Sequence, residues 1–306
     1  MFHVKQIPHM AEIISICPVC DNTAFSPFLP VKDYFLSKED FSILSCNACG
    51  FRFVSPRPAK SEINKYYQSD EYISHGADKG DLISRIYKVA RMVSIRRKFR
   101  ILEKYTAGIK ILDIGCGTAE FLSYCQKRGY NTTGIEPNDK ARGFAKSINS
   151  VNTFEQVELL EGMNGSFNCI TMWHVLEHIH NLNELITQVK QLLAPRGIFI
   201  VAVPNSNSWD AGYYKQFWGA YDVPRHLYHF TEKSFDKLVS KHGFEIRKIY
   251  PQKLDAFYVS MLSEKYKSGK NNFFNAACLG LWSNFRARMK DRGHSSQVFI
   301  LSLKNS

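Results

Sequence analysis

No apolar run among the 306 residues approaches the length of a membrane span, and the amino-terminal stretch, with Lys5 and Glu12, lacks the apolar core and cleavage site of a secretion signal. These absences point to a soluble, cytoplasmic chain, as does a hydrophobic content of 44%. Negative charge is also scarce: 28 acidic residues stand against 40 lysines and arginines, a net charge of +12. Such an excess favours an anionic partner, whether RNA, a phosphorylated sugar or lipid, or a membrane surface, and does not choose among them. In a cytoplasmic chain the eight cysteines do not read as four disulfides; four of them read as metal ligands. The length leaves room for one full α/β domain and one or two smaller pieces.

What is present is organised around Lys110 to Leu122. The first half, Lys110 to Ile114, is a short apolar run of branched residues, the mark of a buried parallel strand. Gly115 and Gly117 let the backbone turn sharply and let a ligand approach without a Cβ in the way. Phe121, Leu122 and Cys125 then recur at helical spacing. Strand, glycine turn and helix in that order suit a nucleoside site at a strand's carboxyl end, although an ordinary tight turn would use the same two glycines. A dinucleotide would need a third small residue at position 120, where Glu120 puts a bulky anion instead. The small residue is Ala119. A second strand ends at Glu136, followed by Pro137, and its carboxylate is suited to accept hydrogen bonds from both ribose hydroxyls.

The pattern Asp113-x-Gly115-x-Gly117-x-Ala119 resembles the first motif of class I S-adenosylmethionine-dependent methyltransferases. The resemblance implies a Rossmann-like, seven-stranded α/β sheet with helices on both faces. It also implies S-adenosylmethionine as cofactor, contacted by Asp113, Gly115, Cys116, Gly117, Glu136 and Pro137. That cofactor carries a sulfonium cation and no phosphate, so Glu120 is tolerable. Phe167 to His174 looks like the family's fourth strand, with Asn168 where an acid is common, and Trp173 at its end joins the cofactor contacts. Gly197 to Val203 and Gly243 to Tyr250 read as the fifth and sixth strands, and Gln297 to Leu303 as the antiparallel closing strand.

Ahead of this core stand Cys17-Pro18-Val19-Cys20 and Cys46-Asn47-Ala48-Cys49. Two such pairs supply four thiolates for a closed tetrahedral zinc site with no open position for chemistry, so the zinc ribbon is structural. Ser55 to Pro58 is a natural boundary, because each proline pushes its predecessor out of helical geometry. The tyrosine-rich piece beyond it places Tyr72 and His75 as candidates to cover the cofactor, a packed connector being the alternative. Asp81 to Lys104 reads as a helix with Leu82, Ile86, Val89, Val93 and Leu102 on its buried stripe, and with Lys98 among many basic residues on a polar face.

At the end of the fourth strand, His174, Glu177 and His178 have the spacing of one face of a helical turn. Ubiquinone-pathway O-methyltransferases carry a similar Glu-x-x-Glu-His cluster that can hold a divalent cation near the substrate. Here His174 replaces the first carboxylate, which weighs against a magnesium-type oxygen site. The reading adopted is His174 as the general base, with Glu177 or His178 structural. Trp209, Tyr213, Tyr214, Phe217, Trp218 and Tyr221 lie in a long segment, 205–225, that reads as an aromatic lid. The run Pro224 to Phe230 resembles a stretch found in a broad group of bacterial methyltransferases, many with the same ribbon. Within it His226 is a second catalytic candidate that positions the acceptor. Tyr221, Arg225 and His229 are acceptor contacts, Arg225 pairing an anionic group bidentately. The alternative for the two histidines is packing at a helix entry.

Two helices, Asp255 to Lys267 and Phe273 to Lys290, form an insertion at about 254–292. An amphipathic hairpin of this kind can touch a membrane surface or a lipid-linked substrate; a homodimer face or extra core covering is the commoner use. The chain thus divides into a ribbon at 1–58, a helical connector or lid at 59–105 and a methyltransferase domain at 106–306. Its expected activity is methyl transfer from S-adenosylmethionine to a small anionic acceptor, with a sugar, sugar nucleotide or lipid-linked glycan as the guess from resemblance. One rival is a ribbon-bearing RNA methyltransferase, which lacks support from any arginine-rich tract with stacking platforms. The other is a non-catalytic binding protein with a vestigial core, which the intact Asp113, Gly115, Gly117 and Glu136 oppose.

Overall fold

Strands that must bury both faces carry apolar residues in succession, and their alternation assigns each side chain to one of two helical layers. The computed structural model describes residues 11–67, 82–160, 162–289 and 293–304; Tyr72 and His75 lie outside the described residues. The amino-terminal part holds β1 (Ala11–Glu12), β2 (Phe25–Lys32), β3 (Asp40–Cys46), β4 (Arg52–Val54) and β5 (Arg57–Pro58). A long helix, α1 (Leu82–Tyr105), leads into β6 (Lys110–Ile114), α2 (Glu120–Gln126), β7 (Asn131–Ile135), α3 (Asp139–Ser147) and β8 (Asn152–Phe154). Next come β9 (Phe167–Trp173), α4 (Leu182–Leu192), β10 (Leu193–Pro204), α5 (Trp209–Tyr214), β11 (Tyr228–His229) and α6 (Glu232–Lys241). The chain closes with β12 (Phe244–Pro251), α7 (Asp255–Ser268), α8 (Phe273–Met289) and β13 (Ser296–Leu303).

Seven strands form one sheet in the order β12-β13-β10-β9-β6-β7-β8. The strands from β6 to β10 run parallel, and β13 is antiparallel to both neighbours. The expected Rossmann-like α/β sheet is therefore present. On one face Leu112, Ile170 and Val201 pack with Leu185 and Val189 of α4 and Leu238 of α6. On the other, Ile111, Cys169 and Ile200 pack with Phe99 and Leu102 of α1, Phe121 of α2 and Ala145 of α3. Burying each large apolar side chain contributes roughly 1.5–3 kcal/mol, so the two layers supply most of the cohesion. The strand order reverses between β6 and β9, the place where open α/β sheets take their ligands, outside the carboxyl ends of the strands.

Three expectations from sequence need correction. In α1 the buried positions among the described side chains include Ile95, Phe99 and Leu102, the last as expected, whereas Val89 and Val93 are 64% and 48% exposed; the side chains of Leu82 and Ile86 lie outside the described ones. Lys98 is not on a solvated face: its Nζ sits 4.7 Å over the Trp173 ring. The segment 205–225 is not an open lid. Tyr214, Trp218 and Tyr221 are buried with Val31, Ile43 and Val54 of the amino-terminal sheet and Val259 of α7, so the aromatics fill the space between those layers. The insertion helix α8 leaves Phe274, Leu281, Trp282, Phe285 and Met289 exposed on one side. No described helix is long and apolar enough to cross a membrane.

The second sheet has the order β11-β4-β3-β2, so the core donates a strand to the cysteine-bearing segment, pairing Tyr228 with Phe53 and His229 with Arg52. The sulfurs of Cys17, Cys20, Cys46 and Cys49 lie within 4.8 Å of one another, an arrangement compatible with a zinc ribbon. Arg225, 1% exposed, locks this sheet to the core. It donates to Asp33 at 2.9 Å, to Asp222 at 2.7 and 3.0 Å, and to the backbone oxygen of Tyr66 at 3.0 Å. Burial disfavours the charges of Asp33 and Asp222, but the guanidinium outweighs it and holds both carboxyls below their usual range. The expectation that Arg225 binds the acceptor is overturned, since both edges of its fork are already occupied. Arg225→Met leaves two buried carboxylates uncompensated, and denaturant titration should show a loss of about 3–5 kcal/mol.

Candidate functional site

The turn after β6 is shaped by backbone that only small residues accept. Gly115 has φ of +76°, and a Cβ there would lie 2.3 Å from Val175 Cγ2. Gly117 has φ of +54° and open space where its Cβ would be, and Ala119 enters α2 at φ of +60°. The amide of Gly117 donates to Glu136 Oε2 at 2.9 Å, and that of Asn138 donates to Oε1 at 3.0 Å. Glu136, at the end of β7, is thereby fixed beside the glycine turn, with a second lone pair on each oxygen still available. Pro137 is exposed next to it, and Cys116 is half-buried within the turn.

Asp113 is buried on β6, where it accepts a hydrogen bond from Thr171. Burial carries its pKa up to about 7 against the opposing influence of Thr171 and Lys98. Lys98 is itself pushed down by burial, with Asp113 and Asp255 opposing that shift. Trp173 sits between Phe121, 5.7 Å away edge to face, and the Lys98 ammonium. The cofactor-contact candidates Asp113, Gly115, Cys116, Gly117, Glu136 and Trp173 therefore lie on adjacent strand ends β6, β7 and β9.

The acceptor side is assembled from distant segments. His174 takes the uncommon φ of +58° immediately after β9. Its Nε2 is 3.0 Å from Asp255 of α7 and its Nδ1 is 3.4 Å from Glu177. Burial opposes a charge on this imidazole, but the two carboxylates prevail and raise its pKa to about 10. His174 is an imidazolium at neutral pH and has no lone pair for a proton, which corrects its assignment as the base. Asp255 lies far along the chain, and no local pattern marks it.

His178 and His226 meet edge to face with ring centres 4.6 Å apart. Nδ1 of His178 is 3.0 Å from the carbonyl of Arg225, and Nδ1 of His226 is 2.8 Å from that of Ala220. A carbonyl can only accept, so Nδ1 of His226 carries a proton, whereas Nδ1 of His178 also lies 3.0 Å from the Tyr67 hydroxyl and is shared between an acceptor and a group that can donate. Burial and the nearby His226 depress the pKa of His178 to about 4, so it is neutral. Glu177 is fully buried, and neither carboxylate oxygen has a hydrogen-bond partner among the described residues. Ligand atoms of Glu177, His178 and His226 lie within 4.8 Å of one another. The trio that can hold a cation therefore includes His226 and not His174. Tyr221 and His229 are buried side by side, 5.2 Å between rings, against Arg52 of β4. Arg52 was not among the candidates, having only its place beside the second cysteine knuckle to mark it.

Residues 87–249 match a family model described as methyltransferase domain. A ubiquinone biosynthesis O-methyltransferase of Dechloromonas aromatica (strain RCB) is 34% identical over 109 residues, covering 33% of this chain and 47% of that protein. Another, from Rickettsia bellii (strain OSU 85-389), is 27% identical over 156 residues, 48% of this chain and 62% of that protein. The chain spans about half the length of the curated relatives it matches. The solved structure of a SAM-dependent methyltransferase from Archaeoglobus fulgidus aligns with TM-score 0.50 and 18% identity, over 73% of this chain and 99% of that one, a likeness of fold.

The state of Asp113 makes a pH-dependent prediction for the ligand-free protein. Its folded pKa, about 7, exceeds the unfolded value, so the folded state binds the extra proton in that interval. Stability from this group is complete below the unfolded pKa and is lost as pH rises through about 7. Thermal unfolding across that range should show the wild type losing stability relative to Asp113→Asn as pH rises.

Proposed function

The chain belongs to the methyltransferase-domain family, with the fold of class I S-adenosylmethionine-dependent enzymes, and we propose that it transfers the methyl group of S-adenosylmethionine to a hydroxyl of a small anionic molecule. The observation that carries this reading is the Gly117–Glu136 hydrogen bond at the point where the strand order reverses. It pre-sets a carboxylate for a ribose diol next to a turn open to a ligand. The relatives' printed name supports an oxygen as the acceptor atom. Nothing comparable supports a glycan, an RNA acceptor or a vestigial core.

In this reading Glu136 orients the ribose and Asp113 lies near the sulfonium, a cation that favours its ionised form. The acceptor hydroxyl approaches Glu177, His178 and His226. The imidazoles of His178 and His226 are placed to receive its proton, a contribution on the order of a hundredfold or more. His174, charged and held between Asp255 and Glu177, positions the turn after β9 and ties the insertion to it. Holding methyl donor and acceptor at near-attack distance supplies up to ~7–11 kcal/mol, the larger share of the acceleration.

Two metals fit the residues present. Cys17, Cys20, Cys46 and Cys49 have the donor set and mutual closeness of a structural zinc site. Glu177, His178 and His226 fit a divalent cation: the buried carboxylate, met only by His174 at 3.4 Å among the described residues, has no hydrogen bond of good geometry, and Nδ1 of His226 is engaged by a carbonyl, as in metal-binding imidazoles. Such a cation, when bound, would make an acceptor hydroxyl more acidic.

Three measurements check these assignments. Calorimetry with S-adenosylhomocysteine should show Glu136→Ala weakening binding by about 1.5–3 kcal/mol, and unchanged affinity would remove Glu136 from the cofactor site. Metal analysis of protein purified without chelators should find zinc that Cys46→Ser loses while S-adenosylhomocysteine still binds. Manganese titration of desalted protein, read by electron paramagnetic resonance, should give saturable binding that His226→Ala weakens at least roughly tenfold. If His226→Ala binds as tightly as the wild type, the cluster serves proton transfer alone.

A further inference from the structure

Three arginines are largely buried where the cysteine-bearing sheet meets the core, and two of them are paired: Arg57 with Glu12 and Arg225 with Asp33 and Asp222. Arg52 is not. Its Nη1 donates to the backbone oxygen of Ser206 at 2.8 Å and to Ser206 Oγ at 3.2 Å, and its guanidinium lies 3.9 Å over the Phe28 ring. Its Nε is buried with no hydrogen-bond partner among the described residues, and no described carboxylate is paired with it; the Tyr221 phenol beside it is neutral, its pKa pushed up to about 12 by burial. The unused Nε–Nη2 edge is the one through which arginine takes a carboxylate or phosphate with two parallel hydrogen bonds.

A second observation points to the same place. His229 is directly opposite Arg52 in the β4–β11 ladder, so both side chains leave the same face of the sheet. It is 3% exposed and its Nε2 has no partner among the described residues. Burial, then His226 and Arg52, hold its pKa well below the ordinary value, so it is a neutral imidazole, which meets an oxyanion at Nε2 in the tautomer that carries its proton there. A buried polar group left unsatisfied is costly, a cost that an oxyanion in this position would remove. Ser206, which anchors Arg52, directly follows β10 on the side where the parallel strands end. His226 of the acceptor cluster is close enough to His229 to influence its charge.

We propose that the Nε–Nη2 edge of Arg52, with His229, forms an oxyanion subsite for a phosphate or carboxylate borne by the methyl acceptor. The assignment to the acceptor rests on the methyltransferase reading; the anion site itself does not. It gives the cysteine-bearing sheet a part in substrate selection, and it places in Arg52 the role that Arg225 cannot fill.

The test is nuclear magnetic resonance of arginine Nε–H signals in zinc-loaded protein with S-adenosylhomocysteine, titrated at constant ionic strength with inorganic phosphate in one arm and acetate in the other. A saturable shift of the Arg52 signal is expected in at least one arm, which identifies the preferred anion, while the Arg57 and Arg225 signals stay in place. Arg52→Lys keeps the charge but loses the fork, and His229→Phe loses the N–H. Each should weaken the anion roughly tenfold or more, the Arg52→Lys titration being followed through the His229 ring signals, without changing S-adenosylhomocysteine affinity. No saturable shift in either arm, or equal shifts at all three arginines, overturns the subsite. Failure of S-adenosylhomocysteine to bind overturns the methyltransferase reading instead and leaves the anion result standing.

Discussion

The buried ion network of Arg225 with Asp33 and Asp222 is the interaction on which the acceptor side depends. A charge in such a setting is tolerated only when its partners are complete, so the network fixes the spacing of everything it joins. Through Asp33 it holds the end of β2, through the Tyr66 carbonyl it holds the connector, and the carbonyl of Arg225 itself orients His178. The next residue, His226, and the β11 strand that carries His229 follow from the same anchor. The geometry of three histidines is therefore inherited from one guanidinium that takes no part in the chemistry.

The cofactor half was legible in the sequence because its parts are local. A strand, a glycine turn and a carboxylate at the end of the next strand occupy consecutive elements, and together they point to a nucleoside site that the glycines alone would not distinguish from a tight turn. Individual strands were marked by runs of branched residues that had to be buried on both faces, and the resemblance to class I methyltransferases implied their assembly into a seven-stranded sheet. The paired cysteines carried their own geometry in the same way.

The acceptor half was not legible, because its properties arise from contacts across the chain. His174 looked like a base, and only Asp255, on a helix of the insertion, turns it into a fixed cation. Arg225 looked like an anion clamp until Asp33 occupied it from the other end of the molecule. The aromatics between β10 and β11 suggested a lid because their length and composition suit one. Tyr214, Trp218 and Tyr221 are buried instead, since the amino-terminal sheet and α7 offer apolar surfaces that no local pattern announces.

The two halves meet beyond the carboxyl ends of β6 and β9, with the glycine turn and Glu136 on one side and the His178–His226 pair on the other. That juxtaposition is the central claim, and a transfer experiment tests it most directly. The protein, incubated with methyl-deuterated S-adenosylmethionine and fractionated cell extract, should place the label in a small, negatively charged molecule, with none transferred by boiled protein. Label appearing in RNA or protein, or no transfer from a protein that binds the cofactor, would contradict it.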